Sequence, residues 1–203
     1  MQKVFPTKAN LIKTKNSLRL SRSGYDLLDK KRNILIKEAL SLLDEAGMLQ
    51  KQVASAYIEA YDYLQKANIS LGISDTVAGS IPPDDSINLK SRSFMGVILP
   101  EISLNSEEFF PEYPLRRTDI NFDKSVQSFI KVKELTLKLA EIESRAYRLS
   151  VAIKKTAGRA NALKTVVIPQ YEETVKNITE ILEEREREEF SRLKVIKKPP
   201  SEK

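Results

Sequence analysis

The chain has 203 residues, 31% of them charged, with 6 glycines and no Cys, His or Trp. Those absences remove disulfides, thiol nucleophiles, Cys/His zinc sites and histidine general bases, and the charge content favours long helices over an all-β sandwich. The net charge of +6 can attract nucleic acid, anionic lipid or an acidic protein surface.

Residues 1–71 form the first expected element, a long helix. Met1–Pro6 has no apolar core of the signal-peptide kind. Thr7 follows Pro6 and is placed to cap the first helical turn. No proline interrupts the chain from there to Leu71. A seam with alternating steps of four and three runs through Leu11, Thr14, Leu18, Ser21, Tyr25, Leu28, Arg32, Leu35, Ala39, Leu42, Ala46, Leu49, Val53, Ala56, Ala60, Tyr63 and Ala67. A register kept this long reads as coiled coil. Ala39, Ala46, Ala60 and Ala67 share one heptad position, and small side chains there let a partner helix approach closely. Arg32 sits in the seam either as a paired, register-fixing charge or as a long side chain reaching solvent, and the second reading is the commoner.

Residues 72–122 form an insert punctuated by Gly72, Gly79, Pro82, Pro83, Gly96, Pro100, Pro111 and Pro114. Ser86–Arg92 alternates and Phe94–Leu99 is apolar and β-compatible, so a short β-hairpin is expected with its turn at Ser91–Ser93. Glu107–Pro114 is an acidic, aromatic loop. Residues 123–193 form the second long helix, with a seam at Val132, Leu135, Leu139, Ile142, Ala146, Leu149, Ile153, Thr156, Ala160, Leu163 and Val167. The seam continues through Tyr171, Val175, Ile178 and Leu182, so Leu163–Val167–Tyr171 steps by four and four, a stutter that unwinds a supercoil locally. Pro169 lies inside it, and a kink or relaxed twist is expected at 165–171. Glu183–Glu189 reads as a salt-bridged exposed helix end, and residues 194–203 as a flexible basic tail.

Two long helices with a small insert pair most economically as an antiparallel coiled coil. The fold expected is therefore mostly helical: a long antiparallel two-helix coiled coil with an insert carrying a short β-hairpin. The basic first forty residues and the basic tail then lie together. No run approaches the ~18 apolar residues that span a bilayer, so a cytoplasmic protein without direct membrane insertion is expected. The adjacent acids Glu107–Glu108 and Glu172–Glu173 would not share a helix face, and no Gly-rich loop is present to cradle phosphates. No catalytic residue, metal or cofactor is expected.

Residues 159–169 read Arg-Ala-Asn-Ala-Leu-Lys-Thr-Val-Val-Ile-Pro, followed by Gln170, Glu172 and Glu173. This resembles the most recognisable segment of the D subunits of V/A-type ATPases. Pro6-Thr7-Lys8, Leu11, Gly24, Leu27-Leu28 and Lys31 resemble the opening of that family, and the likeness covers essentially the whole chain. It departs where Ala157 and Gly158 precede Arg159, since family members often carry consecutive basic residues there. The resemblance implies a non-catalytic central-stalk rotor that couples an ATP-hydrolysing or ATP-synthesising hexamer to a membrane ion-translocating ring. It implies as partners the catalytic A and non-catalytic B subunits, the F subunit near the insert, and the funnel-shaped component above the ring.

Under that reading Lys8, Lys13, Lys15, Arg19, Arg159, Asn161 and Lys194 are candidates for contact with the hexamer pore, and Ile87, Leu89, Phe94, Val97 and Leu99 for contact with the F subunit. An ordinary solvated helix face explains the basic residues equally well. Asn161 has two readings, a hydrogen bond on the coiled-coil flank or a face turned to the hexamer. Two other functions stay open: a coiled-coil adaptor, and a basic nucleic-acid-binding protein, which the apolar seam and the lack of a binding motif disfavour.

Overall fold

A computed structural model describes residues 5–72, 79, 86–104, 113 and 118–197. The Pro82–Pro83 stretch, the Glu107–Pro114 loop apart from Tyr113, and the tail beyond Lys197 lie outside the described residues. The chain is mainly helical with one two-stranded antiparallel sheet. The elements are α1 (Lys8–Leu71), β1 (Ile87–Phe94), β2 (Val97–Leu104), α2 (Ile120–Ala162), a π-helical turn (Leu163–Val167) and α3 (Ile168–Ile196). Contacts divide the chain into two units, Met1–Asn33 with Lys154–Lys203, and Ile34–Ile153.

The 64 residues of α1 begin where Thr7 caps them. Its Oγ1 accepts the Asn10 N–H at 3.2 Å, satisfying a donor that the first turn leaves open. The helix stops at Gly72, whose φ of +77° is the left-handed conformation that ends helices. Every seam position named above on both helical tracts is buried or half-buried.

In the first unit the two helical stretches run antiparallel. Lys8 pairs with Glu186 at 2.8 Å and Arg22 with Glu172 at 2.6 Å. Thr14, Thr156, Ala160 and Ile178 are buried here. The Thr14 hydroxyl donates to the Asn10 carbonyl at 2.7 Å, so a polar seam residue is satisfied within its own helix. Arg32 is half-buried and pairs with Asp29 at 2.6 Å, one turn earlier. It thus keeps a charged partner while its head remains partly in water.

The expected disturbance of the second tract is a single π turn. The Ile168 N–H bonds the Leu163 carbonyl, five residues back. From Leu163 the seam steps by four to Val167, Tyr171 and Val175, which amounts to one residue more than a heptad allows. A π turn absorbs one such residue and keeps the later positions on the same face. Pro169 then falls in the first turn of α3, where a missing N–H is tolerated. The helix runs on to Ile196, three residues into the stretch expected as a tail.

The second unit holds the larger core. Leu35, Leu42 and Ala46 of α1 meet Ile142 and Leu149 of α2 and Leu99 of β2. Leu35 and Leu149 are wholly buried, and each burial stabilises by about 1.5–3 kcal/mol. Further along, Ala67 packs with Phe122 and Tyr113, whose rings meet edge to face at 5.1 Å. The Tyr113 hydroxyl donates to Asp123 at 2.8 Å.

The hairpin pairs Phe94 with Val97 and Ile87 with Leu104. Its turn is therefore Met95–Gly96, not Ser91–Ser93. Both turn residues have positive φ, 50° and 76°. This is the type I′ geometry that matches strand twist in a two-residue hairpin. The serines lie instead in β1, which is almost wholly exposed and so tolerates polar side chains at every position.

Candidate functional site

The basic candidates all lie in the first unit. Lys8, Lys13, Lys15, Arg19, Arg159, Asn161 and Lys194 are exposed. Lys8 is committed to Glu186, whose hydrogen bond and charge raise the lysine above its usual range and lower the glutamate below its own. Among the described residues Lys13, Lys15, Arg19, Arg159 and Lys194 make no ion pair. Asn161 presents its side chain to solvent, and its backbone carbonyl accepts from the Thr165 hydroxyl. The Arg185 guanidinium donates to the Pro6 carbonyl at 3.2 Å, which ties the start of the described chain to α3.

Apolar side chains accompany this charge, and the sequence reading passed over them. Phe190, Leu193, Val195 and Ile196 are exposed on the last turns of α3. Ser191, Arg192, Val195 and Ile196 line a surface depression of about 430 Å³ there. The available signal was their position outside the seam, in a stretch where only charge was weighed. Arg187 and Arg192 each reach back to a glutamate one turn earlier.

The hairpin candidates separate into two groups. Leu99 is buried, and Phe94 and Val97 pack against the same core. Phe94 and Val97 are half-buried and keep part of their surface exposed. Ile87 and Leu89 are exposed, as are Met95 and Ile98. The sequence reading could not separate the groups, because the register of the hairpin decides which residues share a face.

Three side chains on one stripe of α2 fasten the hairpin. Arg148 donates to the Ile98 carbonyl at 3.0 Å and Arg145 to the Pro100 carbonyl at 3.0 Å. Glu141 accepts the Ile102 N–H at 3.2 Å and pairs with Arg145 at 2.5 Å. Residues 141, 145 and 148 recur at helical spacing, so one helix face closes the outer edge of β2. Pro100 has no N–H to offer, and its ring sits where the ladder asks for none.

Among the described residues no group of three potential metal ligands occurs, and no helix is long and apolar enough to cross a membrane. Each unit pairs two helical stretches antiparallel, as in a two-helix coiled coil, and the second unit also carries the β-hairpin. Comparison with known proteins is more specific. The chain matches the ATP synthase D-subunit family over residues 10–198 and belongs to it. It is 42% identical to the V-type ATP synthase D subunit of Thermotoga neapolitana, over 96% of this chain and 97% of that one. It is 36% identical to the A-type ATP synthase D subunit of Thermococcus sibiricus, over 96% and 94%. Identity to the corresponding protein of Methanopyrus kandleri is 33%, over 97% and 87%. A member of this family is a structural component of a larger complex.

Proposed function

We propose that this chain is the central-stalk rotor, the D subunit, of a V/A-type ATPase. It transmits torque between the nucleotide-processing hexamer of A and B subunits and the membrane ion-translocating ring, and performs no catalysis itself. The observation that carries this reading is the near-full-length likeness to V-type and A-type D subunits. The helix pairing supports it. Two helices paired through an apolar seam resist bending and twisting better than one. Exposed ion pairs are worth only about 0–1 kcal/mol each, so the charged exterior can pass three equivalent hexamer positions without adhering to one.

In this reading the uncommitted cations Lys13, Lys15, Arg19, Arg159 and Lys194 meet acidic surfaces of the hexamer pore, with Lys8 and Asn161 beside them. The exposed apolar residues of α3 share that contact. The hairpin contributes to the F-subunit site through Ile87 and Leu89, and the funnel-shaped stalk component is the remaining partner. The protein is then cytoplasmic and peripheral to the membrane, without nucleic acid as a ligand.

The test is reconstitution. The catalytic hexamer is assembled with and without this chain, and ATP hydrolysis and rotation of a probe attached to the chain are measured. Rotation with altered hydrolysis is expected. A hexamer that neither binds the chain nor changes its hydrolysis rate would overturn the reading.

A further inference from the structure

The two edges of the hairpin are treated differently. The carbonyls of Ile98 and Pro100 and the N–H of Ile102 all point away from β1, to Arg148, Arg145 and Glu141. Those three residues lie opposite Ser93, Ser91 and Leu89. In an antiparallel ladder the backbone groups of such pairs face outward on both strands. The N–H and C=O groups of Leu89, Ser91 and Ser93 therefore form the outer edge of β1. By the same alternation Ile87 joins them. Among the described residues nothing is bonded to this edge. One edge of the sheet is closed by a helix, and the other is open among the described residues, along an eight-residue strand exposed at every position but Phe94.

The side chains say what this edge accepts. Ile87 and Leu89 lie on one face of β1 and Lys90 and Arg92 on the other, all exposed, because successive residues alternate. Neither cation is in an ion pair among the described residues. A strand laid against β1 would place every second side chain beside Ile87 and Leu89 and the others beside Lys90 and Arg92. A second copy of this chain would oppose cation to cation, which is destabilising, and edge lysines disfavour such self-pairing.

We propose that the outer edge of β1 is a docking site for an extended acidic segment of another protein, one alternating apolar and acidic residues, which joins the hairpin as a third strand. Backbone hydrogen bonds supply affinity and the alternating side chains supply specificity. The proposal rests on the hairpin alone. It does not require the F subunit to be the partner, and its failure would leave the rotor reading untouched.

The probe is a fluorescein-labelled peptide alternating glutamate and valine, added to the intact chain and read by fluorescence anisotropy. Two controls keep its charge: the same peptide N-methylated at alternate amides, and the Ser91→Pro protein. The Ser91 N–H faces outward, so proline there removes an edge donor and no rung of the hairpin. Saturable binding is expected. About tenfold or greater weakening is expected for N-methylation or Ser91→Pro, as edge donors are lost and bulk blocks approach. Lys90→Glu with Arg92→Glu should transfer the preference to a lysine–valine peptide. Equal binding of the N-methylated peptide to the unaltered protein would overturn the proposal, since only bulk electrostatics would then hold the probe. Concentration-dependent self-association abolished by Ser91→Pro would overturn it too, because a second copy would be the occupant.

Discussion

Single residues in this protein separate according to whether the helix pair needs their shape or their chemistry. Gly158 is needed for neither. It lies exposed within α2, and a Cβ built there meets nothing within 4 Å. Gly158→Ala should therefore raise stability by about 0.5–1 kcal/mol, through helix propensity alone, a gain visible as a later urea midpoint with unchanged slope. Tyr113 is the opposite case. Burial, with the bond to Asp123 and the carboxylate charge behind it, pushes its hydroxyl up to about 12. An unfolded tyrosine loses its proton near 10. The folded state holds a proton that the unfolded state gives up, so this contribution is complete below about pH 10 and is lost as pH rises toward 12. Tyr113→Phe should flatten the alkaline loss of stability over that window. It should also cost about 1–3 kcal/mol at neutral pH, by leaving Asp123 short of a donor. Denaturant titrations at a series of alkaline pH values check both effects.

At the scale of elements, the hairpin shows what local sequence conveys and what it does not. Alternation around Ile87–Leu99 announces strands, yet the turn position depends on which residues can take positive φ. Gly96 does so freely, while Met95, a residue with no such preference, is carried there by the pairing on either side. The grip of α2 on β2 joins residues about forty or more positions apart, beyond the reach of a periodicity argument. Its contribution is measurable. Glu141→Ala removes the acceptor of the Ile102 N–H and the carboxylate partner of Arg145. Amide hydrogen exchange in β2 should then accelerate, most at Ile102, while the α1 seam around Leu35 and Leu42 stays protected. Equal exchange in both proteins would show that Leu99 and its apolar neighbours hold the hairpin unaided.

At the scale of the whole molecule, the helix seam was the part most open to reading. Leu35, Ala60, Leu149 and Ala160 recur at heptad steps and are wholly buried, since coiled-coil burial follows directly from spacing. The candidate contact surfaces were less open to it. Charge marked Lys13 and Arg19, both exposed, but it drew attention from Phe190, Leu193, Val195 and Ile196. That Leu99 and Phe94 pack against the core formed by α1 and α2 was not legible, because nothing local in the sequence shows it. Exposed cations and exposed apolar residues side by side fit a protein that completes its burial in an assembly, in keeping with membership of a multisubunit complex.

The π turn has a consequence for changes in chain length. Removing one residue from within an α-helix turns everything beyond it by about 100° and would normally strip a coiled coil of its partner face. Between Leu163 and Tyr171 the chain already carries one surplus residue. Deleting the exposed Val166 should let the widened turn contract to an ordinary one, leaving Val175, Ile178 and Leu182 still in phase with α1. Deleting the exposed Ser150, where no surplus exists, should throw the downstream seam out of phase, and thermal unfolding of the two shortened proteins would tell them apart.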